Sequence, residues 1–286
     1  IQVSDESTIA RISSYGFAFG YLGGGLLFLI NAAMTIKPEF FGLTSVADAV
    51  RWSFLSVSVW WTLFLIPILL KIKDRGSNES GSHFKLAYSK VFNTLRTVSS
   101  KKNVFIFLLA FFLYIDGVHT IMAMAADFAL NLGLPSSDVI VALILVQFVA
   151  FPTTLLWSKF AYKFGDKNTL LFTISLYLVV IAYSAFLSNA IEFYILASMV
   201  GAIQGGIQSI SRSYYATLIP QNESGEYFGF YNMFGRAGAF LGPALVAIFV
   251  TFFQDTRYGL IPIAALFIMG AIILLKVKSA NESFQS

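Results

Sequence analysis

Two titratable side chains interrupt a long apolar stretch near the middle of this 286-residue sequence. Asp116 and His119 stand in FFLYIDGVHTIMAMAADF (111–128), where most other residues are Phe, Leu, Ile, Met and Ala. On a helix, residues three apart share one face, and Thr120 lies beside them. An acid next to a histidine can take up and release a proton. Alternatively, the two form an ion pair or hydrogen bond that fixes helix packing.

A second polar set recurs every four residues further along the chain. Gln204, Gln208 and Arg212 would form one stripe of a helix. Amide groups donate and accept hydrogen bonds, which suits a zwitterionic or polar solute, but the glutamines could equally bond across helices and bind nothing. Beside them runs a row of small residues that would let another helix approach closely. Its members are Gly201, Gly205 and Ser209.

The elements that position these residues must suit a bilayer. Hydrophobic residues make up 57% of the sequence and charged residues 12%, whereas a soluble domain has about 45–50% and about 25%. Apolar stretches of about 20 residues, the length needed to cross a bilayer, recur along the chain. Because the sequence has no cysteine, a disulfide framework, a thiolate metal site and a cysteine nucleophile are excluded.

The apolar stretches predict an all-α membrane protein with about eight transmembrane helices. Their approximate ranges are 15–36, 52–70, 103–125, 138–158, 169–187, 191–211, 227–252 and 257–276. If the chain starts in the cytoplasm, only Lys37, Arg51 and Arg257 of the 19 Lys and Arg residues fall outside, which leaves 16 inside. The positive-inside rule therefore predicts that both ends are cytoplasmic. The lack of long glycosylated loops favours a bacterial cytoplasmic membrane.

One long polar connection divides the predicted helices into two before it and six after it. It predicts three parts, namely 1–70 with two helices, a basic cytoplasmic linker at 71–102, and 103–286 with six helices. Within the linker, FKLAYSKVFNTL could form an amphipathic helix on the membrane surface. The alternative is a solvated basic linker.

Three stretches resemble one family of transporters. They are YGFAFGYLGGGLLFLIN (15–31), FLYIDGVHT (112–120) and GAIQGGIQSISRSYYATLIPQNESGEYFGFYNMFGRAGAFLGP (201–243). Together they resemble the vacuole-effluxer-like, autophagy-related permease branch of the major facilitator superfamily, which includes vacuolar amino-acid effluxers of fungi and many bacterial permeases. The resemblance implies a helical bundle of two six-helix halves joined by a long loop. This chain would hold the last two helices of the first half and the complete second half, and four helices would precede Ile1.

The resemblance also implies a function. Such proteins are secondary transporters, either permeases or effluxers, that work by alternating access. For this chain the implied substrates are small polar solutes, with amino acids as the first candidates. The transport could also be coupled to protons. The helices that carry Asp116 and Gln204 face the central cavity in this fold. The implied cavity-lining residues are Asp116, His119, Thr120, Gln204 and Gln208. The expected partners are the lipid bilayer, a small polar solute, protons and the missing N-terminal helices, with no cofactor, metal or nucleic acid.

Two other functions are weighed against transport. The chain could be a non-transporting scaffold or fragment, and we expect residues 1–286 alone not to transport, because a cavity between two halves needs both. An intramembrane enzyme is disfavoured. The phospholipid head-group transferases carry D-G-x-x-A-R, but no Ala-Arg follows Asp116-Gly117, and the zinc motif H-E-x-x-H is absent.

Four basic residues are candidates for gating or ion pairing. Arg212 would lie at the cytoplasmic end of its helix, and Arg236 could bind an anion, pair with an acid such as Glu226, or extend toward the membrane surface. The superfamily's gating loop reads roughly G-x-x-x-D-R-x-G-R-R. The corresponding WSKFAYKFGDKNTL (157–170) keeps Lys163 and Lys167 but has Tyr162 in place of the acid, so a charge latch at this loop is in doubt.

Two sets of glycines predict close helix packing. The equivalent helices of the two halves carry G-x-x-x-G motifs, which suit interfaces and hinges rather than ligand sites. The packing candidates are Gly16, Gly20, Gly23 and Gly24 in the first half, and Gly205, Gly238 and Gly242 in the second.

Overall fold

A computed structural model describes residues 8–71, 101–220 and 223–278, and these residues are helical almost throughout. No strand occurs in those ranges. The predicted linker 71–102, with its FKLAYSKVFNTL segment, falls almost entirely outside the described residues. The division of the sequence at this linker therefore stays a prediction.

The described chain forms nine α-helices. In order they are α1 (Ile9–Ile36), α2 (Val46–Lys71), α3 (Lys102–Asn131), α4 (Ser136–Phe164), α5 (Asp166–Ser184), α6 (Ala190–Leu218), α7 (Ser224–Gly238), α8 (Leu241–Phe253) and α9 (Leu260–Leu275). Short 3-10 turns at Pro38–Phe41 and Thr256–Gly259 join two pairs of neighbours.

The predicted number of membrane spans is confirmed, since 8 helical segments among the described residues are long and apolar enough to cross a bilayer. Most of the helices extend beyond the predicted ranges, because polar end residues continue the helix past the apolar stretch. The seventh span, predicted at 227–252, is confirmed as one membrane-spanning segment, Ser224–Phe253, within which the helix is interrupted. It is divided at Ala239 and Phe240 into α7 and α8, where Pro243 has no N–H to donate to the Ala239 carbonyl.

Contacts divide the described residues into two compact units. One unit comprises 22–71, in which the Ser56 hydroxyl donates to Asn31 Oδ1 at 2.9 Å. The other comprises 8–21, 101–220 and 223–278, and so contains α3 to α9 with the beginning of α1. The buried core of this larger unit holds the polar residues of interest.

The helices α4 and α6 approach each other through glycines of α6. A Cβ atom built on Gly201 would lie 2.6 Å from the Val146 carbonyl oxygen. One built on Gly205 would overlap Thr154 Oγ1, and Trp157 donates to the Ala202 carbonyl at 2.7 Å. The row of small residues on α6 therefore lies directly against α4.

The helices α3 and α9 also pack face to face. A Cβ atom on Gly117 of α3 would lie 2.7 Å from the Phe267 ring of α9. One on Gly270 of α9 would lie 3.0 Å from Tyr114 Cβ and 3.2 Å from the Ala110 carbonyl oxygen. The residues of α3 on either side of Asp116 are therefore packed against α9.

Candidate functional site

Asp116 is a buried carboxylate at the middle of α3. Its exposed fraction is 0%, and neither carboxylate oxygen has a hydrogen-bond partner among the described residues. A carboxylate in an apolar interior is costly when it is ionised and unpaired. The charge state of Asp116 therefore affects the free energy of the packing around it.

The break between α7 and α8 lies against this carboxylate. A Cβ atom built on Gly242 would lie 3.1 Å from Asp116 Oδ2 and would overlap Thr120 Oγ1. The Gly242 backbone N–H faces the carboxylate without completing a hydrogen bond. Gly238 is equally close, because its Cβ would lie 3.2 Å from Asp116 Cβ and 3.1 Å from the Phe112 carbonyl oxygen. Glycine at both positions lets the broken span touch α3.

His119 and Thr120 flank the acid without pairing with its carboxylate. The Thr120 hydroxyl donates to the backbone carbonyl of Asp116 at 2.7 Å. His119 is half-buried, the backbone of Gly235 lies beside its ring, and its buried Nδ1 atom has no hydrogen-bond partner among the described residues. The ion pair between Asp116 and His119, one of the two interpretations of the sequence, is not formed.

The glutamines of α6 lie at a different place on the bundle. Tyr21 of α1 donates to Gln208 Oε1 at 2.8 Å, and Gln208 Nε2 lies 4.0 Å from Met122 Sδ of α3. Gln204 is 3% exposed, Tyr21 lies beside it, and its Oε1 atom has no hydrogen-bond partner in the described structure. An acceptor that is buried and unpaired is a position where a donor of a ligand could bind.

Asp116 and the residue of α3 that Gln208 contacts, Met122, therefore lie on different faces of α3. Asp116 and Met122 are six positions apart, which corresponds to a rotation of about 240° around the helix. Sequence reasoning selected Asp116 and Gln208 but not the residues that they contact. It did not predict that Gly242 lies against the acid or that Tyr21 hydrogen bonds to the amide of Gln208. A tyrosine next to a glycine run was the only signal for Tyr21.

Comparison with known families identifies this architecture. Residues 2–283 match the family described as vacuole effluxer Atg22-like. The chain belongs to the Atg22-like family. The resemblance seen in the sequence is thereby confirmed over nearly the whole chain.

Relatives of this Atg22-like chain occur in bacteria and fungi. The uncharacterized MFS-type transporter YxiO of Bacillus subtilis is 33% identical over 285 residues, which cover 99% of this chain and 67% of that protein. Autophagy-related protein 22 of Yarrowia lipolytica is 26% identical over 310 residues, covering 96% of this chain and 51% of that protein. The chain thus spans about two thirds of the bacterial relative and half of the fungal one.

A solved structure confirms the fold. The crystal structure of a bacterial homologue of the iron transporter ferroportin in its outward-facing state superposes with a TM-score of 0.60 at 16% identity, covering 96% of this chain and 65% of that chain. The Atg22-like chain is therefore a multi-pass, all-α membrane protein of the major facilitator fold, related to MFS-type transporters and effluxers.

The first turn of α5 in the Atg22-like chain contacts two other helices, α9 and α6. The Lys167 ammonium donates to the carbonyl oxygens of Leu275 at 2.8 Å and Val277 at 2.7 Å, where α9 ends. Asp166 accepts a hydrogen bond from the Ser213 hydroxyl of α6 at 3.1 Å. Asp166, which sequence reasoning did not select, thus links the beginning of α5 to α6.

The other basic candidates are exposed in the described structure. Lys163 lies 5.2 Å from the Phe164 ring centroid, and the Arg212 guanidinium lies 5.5 Å from that of Phe228. Arg236 is exposed near the end of α7, and its carbonyl accepts from the Ala239 N–H at 3.2 Å. Their roles in gating stay predictions.

The predicted packing glycines of α1 have open surroundings within the described ranges. A Cβ atom on Gly16 or Gly20 would meet nothing within 4 Å, and Gly24 is exposed. A Cβ on Gly23 would reach Trp60 at 3.9 Å, which is an ordinary contact.

Replacing Lys167 by methionine should lower the free energy of unfolding by about 1–2 kcal/mol, because two carbonyls at the end of α9 lose a charged donor. Lys163→Met is the matched control, since this exposed lysine contacts only a ring beside it, and its effect should stay within about 0.5 kcal/mol. Thermal unfolding of the purified intact protein in detergent checks the difference. Equal midpoints for the two variants would show that the Lys167 contacts add no stability.

Proposed function

We propose that this chain is the larger part of a secondary transporter that exports small polar solutes, with amino acids first, by alternating access. The observation that carries the proposal is Asp116, a carboxylate at the middle of a membrane-spanning helix that has no exposed surface and no partner among the described residues. Ionisable residues at such depth are costly and mark ion or proton pathways in transporters. The family membership supports the same class of function.

The polar face of α6 supports the proposed class of solute. Gln204 and Gln208, together with Tyr21, offer amide and hydroxyl groups but no charge, and one amide oxygen is unpaired. Uncharged groups that both donate and accept suit a zwitterion, whose ammonium needs acceptors and whose carboxylate needs donors. A solute with a large net charge would require an opposite charge at this position.

In the proposed cycle, Asp116 couples solute movement to protons. Uptake of a proton removes the cost of the buried charge, and release restores it, so the two states differ in the packing that they favour. Coupling to one proton would let a gradient of one pH unit drive about tenfold accumulation of the solute, since one pH unit corresponds to about 1.36 kcal/mol.

The test is transport of labelled amino acids by the intact protein in liposomes, with and without a pH gradient. Asp116→Asn should abolish the response to the gradient but keep exchange of solute across the membrane. Asp127→Asn is the matched control, because Asp127 lies on the same helix but is exposed and bonded to Asn131 at 3.1 Å.

Each outcome of this experiment has one meaning. If Asp116→Asn responds to the gradient like the wild type, Asp116 is not the coupling acid. If the wild-type protein moves no amino acid, the proposed solute class is wrong. If Asp127→Asn also loses the response, the effect is not specific to the buried site.

A further inference from the structure

The helix α8 packs against α3, α9 and the 3-10 turn Thr256–Gly259, but it contributes few residues to the buried core. Only Gly242 and Val246 are buried among its residues, whereas α7 buries five residues. Gly242 lies against Asp116 and Thr120 of α3, and Val246 lies against Gly259, whose added Cβ would approach Val246 Cγ1 to 2.8 Å. The first of these two contacts is the one that α8 makes with the core helix α3.

The regular helical hydrogen bonding is interrupted between α7 and α8. At the end of α7 the Ala239 N–H donates to the Arg236 carbonyl at 3.2 Å, and α8 starts with the Ala244 N–H donating to the Phe240 carbonyl at 3.2 Å. Pro243 has no N–H, so the regular helical hydrogen bond to Ala239 cannot form across the break. The two half-helices are therefore joined by backbone that can change direction.

The contact between α8 and α3 is electrostatic as well as steric. The N-terminus of a helix carries a partial positive charge on its unpaired N–H groups. The N-terminal residues of α8 bring the Gly242 N–H toward the Asp116 carboxylate, whose oxygens are fully buried and have no hydrogen-bond partner among the described residues. An ionised Asp116 attracts this end of α8, and a neutral Asp116 loses most of that attraction.

No other charge in the described structure compensates this carboxylate. On α3, α6 and α7 the other ionisable groups are Lys102, Tyr114, His119, Asp127, Glu192, Tyr194, Arg212, Tyr214, Tyr215, Glu226, Tyr227, Tyr231 and Arg236. None of them hydrogen bonds to Asp116, and α8 and α9 contain no ionisable residue. In the described part of the chain, no cluster of three acids or histidines offers a metal site either. The proton is therefore the ligand that fits.

We propose that Asp116 is a proton-binding site that controls α8. In the ionised state the carboxylate holds the N-terminus of α8 against α3, and proton binding releases α8 to rotate about Ala239 and Phe240. The proposal builds on the proposed function, because it names the element that a change of charge at Asp116 would move. On the predicted topology α8 is the outer half of its span, so its release would alter the outer side of the protein.

The test measures the position of α8 directly, in the absence of solute. Since residues 1–286 contain no cysteine, spin labels can be attached to introduced cysteines in the intact protein, with any cysteine outside this range replaced by serine. The pair V179C and I248C joins exposed positions on α5 and α8, at 54% and 62% exposure. The pair V179C and M233C, which ends on α7 instead, is the matched control.

The expected result is a pH-dependent distance in the α8 pair only. From about pH 8 to about pH 5, a range in which most proteins stay folded, the distance should shift by about 2 Å or more and its distribution should broaden, the scale on which helices move in switching proteins. Asp116→Asn should show the low-pH distribution at both pH values. The α7 pair should not change.

Two results would overturn the inference. The first is an α8 distance that is the same at both pH values in the labelled protein that retains Asp116, a result that does not depend on the folding of Asp116→Asn. The second is an equal shift in the α7 pair, which would mean that the whole span moves as one body. The distance measurement is independent of the transport assay. If the α8 distance does not change but transport responds to the pH gradient, only the proposed control of α8 is rejected. If the distance changes but transport does not respond to the gradient, only the transport role of Asp116 is rejected.

Discussion

Replacing Gly201 by alanine is expected to destabilise the protein strongly, although alanine is the better helix former. The added Cβ would lie 2.6 Å from the Val146 carbonyl oxygen and 3.0 Å from Val146 Cα. Both atoms belong to the backbone of α4, so no side-chain rotation can relieve the overlap, and the two helices must separate. Overpacking of this kind costs about 1–3 kcal/mol, which exceeds the gain of about 1 kcal/mol in helix propensity.

A glycine of α7 provides the control for this prediction. Gly229 is also helical, but it is exposed, and a Cβ there would meet nothing within 4 Å among the described residues. Gly229→Ala should therefore leave stability unchanged or raise it slightly. The midpoint of thermal unfolding in detergent, followed by the loss of monodisperse protein, separates the two variants. If Gly201→Ala were as stable as Gly229→Ala, the spacing between α4 and α6 could not be limited by this backbone contact.

The second large effect is expected at the contact between α3 and α8. In Gly242→Ala the new Cβ would overlap Thr120 Oγ1 and lie 3.0 Å from Thr120 Cβ. The variant should lose about 1–3 kcal/mol of stability, and it should also lose transport, because α8 can no longer rest on α3. In the double variant Thr120→Ala with Gly242→Ala the overlapping oxygen is absent while the 3.0 Å contact with the Cβ at position 120 remains, so part of both losses should be recovered.

A double-mutant cycle measures this recovery. The interaction energy between positions 120 and 242 should favour the double variant by about 1 kcal/mol or more, as residues in direct contact often show. Thr120→Ala alone should have a small effect, because its hydroxyl bonds to the Asp116 carbonyl of the same helix at 2.7 Å. Strictly additive losses would mean that the two residues do not meet in the folded protein.

Periodicity and apolar length were sufficient to predict the eight spans, because each helix must satisfy its backbone within a bilayer whatever its neighbours are. The division between α7 and α8 was missed, although Gly238, Gly242 and Pro243 were visible as a packing motif. Whether such a motif packs or breaks a helix depends on the neighbouring helix. Here the neighbour is α3, whose contact at Asp116 no local pattern reveals.

Only part of the candidate site could be predicted from the sequence. Asp116 and Gln204 stand out in sequence, since polar residues in apolar spans are rare. Their partners come from distant parts of the chain, as Tyr21 does for Gln208 and Gly242 for Asp116. Lys167 was selected from a gating motif, yet its contacts with Leu275 and Val277 depend on where α9 ends.

The packing of α3 against α9 has a consequence for biosynthesis. Ribosomes add roughly 5–20 residues per second, so on the order of ten seconds pass between the synthesis of Asn131, where α3 ends, and that of Leu260, where α9 begins. During this interval the face of α3 around Gly117 lacks its final partner, Phe267. A nascent chain that stops before α9 should thus present this face to quality-control proteases in the membrane, and the synthesis of α9 should cover it.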